Sequence, residues 1–107
     1  MALARIQLPA AAKRGEVFEV RIAIQHPMET GFRFDLSGRA IPKNVINQLV
    51  CRYNEVEVFR AEMGSRVAAN PYLQFYAVAD ASGEMAFEWI DDDGNRGTER
   101  AAISVIE

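Results

Sequence analysis

The chain contains one histidine, His26, and one cysteine, Cys51, the side chain types best suited to acid–base or thiol chemistry near neutral pH. A Cys–His dyad would require the fold to join positions 25 residues apart, and no second histidine could complete a metal site. His26 continues the apolar alternation of a strand, which favours a structural or interface histidine over a general base. Cys51 lies between bulky alternation partners and is predicted to be a buried thiol, with a sulfur carrier or redox thiol as the alternative.

An acidic segment, Asp91–Asn95, is similar at first sight to a calcium-binding loop. An EF-hand loop would need a glutamate at its twelfth position, which is Ala102 here, and flanking helices rather than strands. A solvated hairpin tip, or a loop that faces a partner, explains the segment better. Glu29 and Asp35 form no convincing carboxylate pair, and no phosphate loop, nucleophile elbow or Cys-x-x-Cys motif occurs. We therefore predict no catalytic residues, no cofactor and no metal, and expect that the protein is not an enzyme.

The bulk composition predicts one domain over residues 1–107 that folds without disulfides. Twelve scattered basic residues are outnumbered by fifteen acidic ones, and this balance argues against nucleic-acid binding. No segment approaches the ~20 consecutive apolar residues that would span a bilayer, and the N-terminus does not resemble a secretory signal. Taken alone, these features predict a cytoplasmic protein without membrane contact.

A period-two alternation of apolar and polar residues dominates the chain and predicts strands. The predicted strands include residues 17–25, 45–53, 56–59, 72–78, 84–90 and 98–106. Asn54-Glu55 separates two of them and predicts a tight hairpin, because asparagine tolerates positive φ. About seven short strands, at spacings of roughly 8–12 residues and without a convincing amphipathic helix, indicate an all-β fold, an immunoglobulin-like antiparallel β-sandwich.

The longest irregular stretch runs from Pro27 to Asn44. A loop of this length inside a small domain is often functional or mobile, although a surface excursion without a binding role is the alternative. It contains Phe32 and Phe34, which do not fit strand positions. Loop aromatics of this kind either fold back onto the domain or are held by a partner.

Several short motifs carry a resemblance to a known family. They are Gly15-Glu-Val17, His26-Pro-Met-Glu-Thr-Gly31, Ile41-Pro-Lys-Asn-Val-Ile-Asn47, Cys51 to Asn54, Ala69-Asn-Pro-Tyr72, and Gly83 through Phe87-Glu-Trp-Ile-Asp-Asp-Asp-Gly94. Their order and spacing resemble the SoxZ family over nearly the whole chain. SoxZ is the small subunit of the SoxYZ carrier complex of bacterial thiosulfate oxidation.

The resemblance implies a non-catalytic subunit that binds SoxY. In the SoxYZ complex the carrier cysteine lies on SoxY, at the end of a glycine-rich arm, and other Sox enzymes visit it transiently to process the sulfur intermediates. The present chain ends Ile103-Ser-Val-Ile-Glu107 without a Gly-Gly-Cys, as this role would require. The resemblance also implies a periplasmic location, reached without a signal peptide by co-export with SoxY, and a possible homodimer when the chain is isolated.

Two loops are expected to contact SoxY or the visiting Sox enzymes, because they are polar, lie at strand ends and match the family pattern. The candidates in the first loop are His26, Pro27, Met28, Glu29 and Phe32, and those in the second loop are Asp91, Asp92 and Asp93. Two other functions stay open from the sequence. One is a free-standing immunoglobulin-like module that binds a protein or a ligand such as a sugar, and the other is a thiol-dependent enzyme that uses Cys51.

Overall fold

The structure of the protein is a computed structural model, which describes residues 3–64, 67 and 69–107. This part of the chain forms eight strands and contains no helix that could cross a membrane. The strands are β1 (Leu3–Gln7), β2 (Ala11–Lys13), β3 (Val17–Gln25), β4 (Ile46–Tyr53), β5 (Val56–Glu62), β6 (Tyr72–Val78), β7 (Gly83–Asp91) and β8 (Arg96–Ile106). The predicted all-β fold is confirmed.

The strands form two sheets, with the orders β1-β3-β6 and β2-β8-β7-β4-β5. Pairing is antiparallel except between β2 and β8, which run parallel. Both sheets contribute to one apolar core, so the molecule is the predicted β-sandwich. The strands β1 and β2 are not predicted from the sequence, because β1 is half-exposed and β2 has only three residues. β5 also continues to Glu62, beyond its predicted end.

The core is built from the alternating inward faces of the long strands. Its members include Phe18, Val20, Ile22 and Ile24 of β3, Leu49, Cys51 and Tyr53 of β4, and Met85, Phe87 and Trp89 of β7. Phe75 of β6 stacks on Phe59 of β5 with ring centroids 4.2 Å apart, and it lies 6.2 Å from the ring of Phe87. These rings join the two sheets, and burial of Phe75 and Phe87 contributes about 1.5–3 kcal/mol each.

The tight hairpin predicted at Asn54-Glu55 connects β4 and β5. The two residues have φ angles of 47° and 73°, as a two-residue turn between twisted strands requires. The Asn54 side chain also accepts a hydrogen bond from the backbone N–H of Glu84 at 3.0 Å. The turn therefore locks onto the beginning of β7, which pairs with the other side of β4.

Between β3 and β4 the chain forms an arm, which we define as residues 29–44. At its base Glu29 and Asn44 exchange two backbone hydrogen bonds, both of 2.9 Å. Farther out Phe34 and Ala40 form a second antiparallel bridge. The stretch predicted as irregular is therefore a hydrogen-bonded hairpin, and its aromatic side chains do not fold back onto the sandwich.

We expect Gly97→Ala to lower the free energy of unfolding by about 1–3 kcal/mol, because overpacking displaces a buried ring. A Cβ at Gly97 would lie 2.2 Å from the indole of Trp89, which covers this part of β8. Urea denaturation followed by tryptophan fluorescence measures the loss. Gly64→Ala is the matched control, since a Cβ there meets no atom within 4 Å. Equal stability of the two variants would contradict the prediction.

Candidate functional site

Two buried polar residues, His26 and Asp91, meet at one end of the sandwich. His26 directly follows β3 and Asp91 ends β7, so the pair bridges the two sheets. His26 Nε2 and Asp91 Oδ2 lie 3.2 Å apart, and the two residues are only 6% and 5% exposed. Removal of either partner would leave a buried polar group unsatisfied, so each holds the other in place.

Hydrogen bonds engage both ring nitrogens of His26. The backbone N–H of Met28 donates to His26 Nδ1 at 2.9 Å. Nδ1 is therefore an acceptor, and in the neutral ring the proton lies on Nε2 and is donated to Asp91. The backbone N–H of His26 donates to Asn70 Oδ1 at 3.0 Å, and the Asn70 N–H donates back to the His26 carbonyl at 2.7 Å. The ring has no free lone pair for a metal or a substrate proton.

The Asp91 carboxylate accepts four further hydrogen bonds. Its Oδ1 accepts from the N–H groups of Asp93 and Asn95 at 3.0 and 2.9 Å. Its Oδ2 accepts from the side-chain amides of Asn95 and Asn44 at 3.2 and 3.4 Å. Burial raises the pKa of Asp91, but the hydrogen bonds from His26, Asn95 and Asn44 outweigh burial and hold the pKa below its ordinary value.

These bonds bear directly on the calcium interpretation of the acidic loop. Both oxygens of Asp91 are used to close the turn itself, as in other Asx-stabilised turns. Over residues 3–64, 67 and 69–107, no three His, Cys, Asp or Glu side chains are grouped to hold a metal ion. The geometry therefore favours a loop that is stabilised by its own side chains.

Asp92 connects the same turn to the returning side of the arm. Its Oδ2 accepts from the backbone N–H of Val45 at 3.2 Å, and its Oδ1 accepts from the Asn47 amide at 3.0 Å. Lys43 Nζ lies 3.7 Å from Oδ2. The Asn47 hydrogen bond, together with these neighbours, lowers the pKa of Asp92. The turn after β7 thus holds both ends of the arm. Asp91 binds His26 shortly before the arm begins, and Asp92 binds Val45 directly after it ends.

Met28 directly precedes the arm, and its side chain is anchored in the core. Its residue surface is only 3% exposed, and its Sδ accepts a hydrogen bond from the backbone N–H of Ile46 at 3.2 Å. Its φ angle of 50° is in the left-handed region, where few non-glycine residues are found. This conformation turns the chain from β3 into the arm while the side chain stays inside.

The structure joins the two loops that the sequence singled out, but it divides their eight candidate contact residues into two groups. Those that face the interior and position the loops are His26, Met28 and Asp91. Those that reach the surface are Pro27, Phe32, Asp92 and Asp93, together with the partly buried Glu29. Contact of the second group with a partner stays a prediction.

Three asparagines complete the site and are not predicted from the sequence. Asn44, Asn70 and Asn95 supply amide or carbonyl groups to the buried pair or to its backbone. The family motifs contain Asn44 and Asn70, and this is the only sequence signal that could have identified them. Leu36, at the tip of the arm, is also not predicted, although it is fully exposed.

We expect Asp91→Asn to lower the free energy of unfolding at pH 7 by about 2–4 kcal/mol, because an amide cannot accept all the hydrogen bonds of the buried carboxylate. Urea denaturation provides the measurement. Asp93→Asn is the matched control, since its exposed carboxylate accepts no hydrogen bond from a described residue. The expectation fails if the two variants are equally stable.

The lowered pKa of Asp91 also predicts a dependence on acid. Because the carboxyl is more acidic in the folded chain than in the unfolded chain, its contribution to stability is complete above the unfolded pKa and is lost as the pH falls through the folded one. The unfolding free energy of the wild type should therefore decrease below about pH 5 more steeply than that of Asp91→Asn. Parallel pH profiles for the two proteins would contradict this expectation.

The chain matches the family model for the sulphur oxidation protein SoxZ over residues 6–102. No curated protein sequence matches it significantly. Similar solved structures include superoxide reductase (neelaredoxin) from Ignicoccus hospitalis, at 18% identity and a TM-score of 0.72, covering 96% of this chain and 80% of that chain. A candidate superoxide reductase from Thermotoga maritima, at 16% identity and a TM-score of 0.73, covers 97% and 86%.

A CARDB domain from Pyrococcus furiosus, solved in complex with di-metal ions, is also similar, at 12% identity and a TM-score of 0.52, covering 100% of this chain and 94% of that chain. At these identities the structural likeness concerns the fold alone. The family match is different in kind, because it runs from β1 into β8 and includes both loops at the His26–Asp91 pair and the whole arm. The chain therefore belongs to the SoxZ family of sulphur oxidation proteins.

Proposed function

We propose that this chain is the non-catalytic subunit of a SoxYZ-type sulfur-carrier complex in thiosulfate oxidation. It binds a SoxY-type subunit, whose cysteine carries the sulfur, and it helps to present sulfur intermediates to the Sox enzymes. The family match over residues 6–102 supports a role in the Sox system. The motif resemblance described above supports the finer assignment.

The observation that carries the proposal is the state of the only thiol in the chain. Cys51 lies in the middle of β4 with no exposed surface, as predicted, and burial raises the pKa of its thiol to about 12. Covalent sulfur transfer requires an accessible thiolate, and a buried thiol of this pKa does not supply one near neutral pH. A carrier complex that contains this chain therefore needs the cysteine of a second chain.

The polar pair at the end of the sandwich supports a structural role in the same complex. Both nitrogens of the His26 ring and both oxygens of the Asp91 carboxylate are engaged within the protein. A general acid or base must reach a proton on the substrate at hydrogen-bond distance. The pair is instead suited to hold the arm and the turn after β7 in one arrangement for a partner.

We further propose that the complex acts in the periplasm and that this chain reaches the periplasm by export together with its SoxY-type partner. The support for this location is the family resemblance.

Co-expression with a SoxY-type chain of the same organism tests the proposal. We expect a stable one-to-one complex by size-exclusion chromatography with mass determination. After incubation with the sulfur-loading enzymes and thiosulfate, mass spectrometry should find the added sulfur on the SoxY-type cysteine and none on Cys51.

Cys51→Ala is the matched control, because it removes the second thiol without adding a buried polar group. It should form the complex and leave sulfur loading unchanged, whereas replacement of the carrier cysteine should abolish loading. A well-folded chain that does not associate would overturn the proposal and favour a free-standing binding module. Loss of loading in Cys51→Ala, at an unchanged yield of complex, would contradict the non-catalytic assignment.

A further inference from the structure

The arm presents three large apolar side chains to solvent. Phe32, Phe34 and Leu36 occupy alternate positions on its outgoing side and are 81%, 68% and 109% exposed. Single exposed apolar residues are common on monomers, but three at the end of one projecting hairpin form a patch of the kind that marks a binding surface. The patch lies outside the eight residues considered above, apart from Phe32.

The arm is held in shape without any partner. At its tip the Asp35 carboxylate accepts hydrogen bonds from the backbone N–H groups of Ser37 and Arg39 at 2.9 and 3.0 Å. Farther down, the Ile41 N–H donates to the carbonyl of Arg33 at 2.8 Å. A hairpin formed in advance loses little conformational freedom on binding, so more of the apolar contact contributes to affinity.

The net charge of the arm is opposite in sign to that of the whole chain. The arm holds three basic residues and two acidic ones, whereas the chain has a net charge of -3. Glu29 pairs with Arg33 at 2.6 Å, and the Asp35 carboxylate accepts hydrogen bonds within the tip turn. Arg39 is exposed and forms no ion pair with any residue in the described part of the chain. An apolar tip with a free arginine is complementary to an apolar cleft with an acidic rim.

A second copy of this chain offers such a cleft only with an arginine in its rim. The five principal cavities on the described surface range from about 210 to about 690 Å³, and an arginine lines each of them. The largest is lined by Arg52 and Arg100 as well as by glutamates. The best match among them is the cleft that Val17 and Phe18 line together with Glu16 and Glu19, and there Arg39 would also meet Arg21.

We infer that the arm inserts its Phe32–Phe34–Leu36 tip into an apolar, acid-rimmed cleft of the SoxY-type subunit. The inference rests on the proposed function, because that subunit is the stable companion of this chain. A Sox enzyme that binds only transiently is a less suitable partner for the tip, because an apolar patch left uncovered between visits promotes aggregation. Permanent interfaces are also the more hydrophobic class. The tip is thus a permanent anchor, held at its base by the His26–Asp91 pair.

The triple variant Phe32→Ser/Phe34→Ser/Leu36→Ser tests the anchor. We expect it to fold with wild-type stability, because the three side chains are exposed, and to bind the SoxY-type chain at least ~100-fold more weakly, as for loss of hot-spot side chains. Isothermal calorimetry on separately purified chains measures the affinity. Tyr72→Ser/Tyr76→Ser/Val78→Ser is the matched control, since these β6 residues are 54%, 63% and 57% exposed.

The variant Arg39→Glu provides a second test, which probes the acidic rim of the proposed cleft. It should slow association by about tenfold at low salt and by less at high salt, as expected for a charge at the edge of an interface. An unchanged association rate would overturn the acidic rim.

The outcomes separate this inference from the proposed function. If the wild-type chain does not bind the SoxY-type chain, the proposed function fails. If the wild type binds, and the tip variant binds equally well or loses no more affinity than the β6 control, the anchor alone is overturned. A wild-type homodimer that persists beside the SoxY-type chain and that the tip variant dissolves would assign the tip to a second copy and overturn the inference.

Discussion

The buried hydrogen bond between His26 and Asp91 is the interaction on which one whole end of this molecule depends. Its partners stand where β3 and β7 end, one in each sheet, so it fixes the spacing of the sheets there. The same carboxylate closes the turn after β7, and the same imidazole accepts a hydrogen bond from the backbone N–H of Met28, which directly precedes the arm. Because breaking one side of such a pair costs about 3–5 kcal/mol, sheets, turn and arm form one unit.

The distribution of polar and apolar groups at this end is the reverse of what a self-sufficient monomer needs. His26 and Asp91 occupy the interior, and the amides of Asn44 and Asn95 donate to the buried carboxylate from nearer the surface. Large apolar groups, among them Phe34, are exposed on the outside. A buried polar network specifies one geometry more sharply than apolar packing does, and an exposed apolar tip gains stability only when it is covered. Both features are typical of a subunit.

Local patterns account for what could be predicted, and contacts across the fold account for what could not. Period-two alternation identified the core faces of β3, β4 and β7, and Asn54-Glu55 identified a hairpin, because each is a property of neighbouring residues. His26 and Asp91 lie 65 positions apart and become neighbours only when the sheets pack. The arm was predicted as irregular because of its glycines and prolines, although Phe32, Phe34 and Leu36 alternate with polar residues. The Asp35 side chain that closes its tip leaves no periodic signal.

The burial of Cys51 has a consequence for fidelity in a system that passes sulfur from thiol to thiol. Every accessible thiolate near a carrier cysteine competes for the same cargo, and a misplaced sulfur atom is lost to the next enzyme. Cys51 packs in β4 as a small apolar side chain does, and its thiol is both buried and protonated. In the proposed complex this chain can therefore stand beside the carrier without becoming a second acceptor, and the complex holds one loading position.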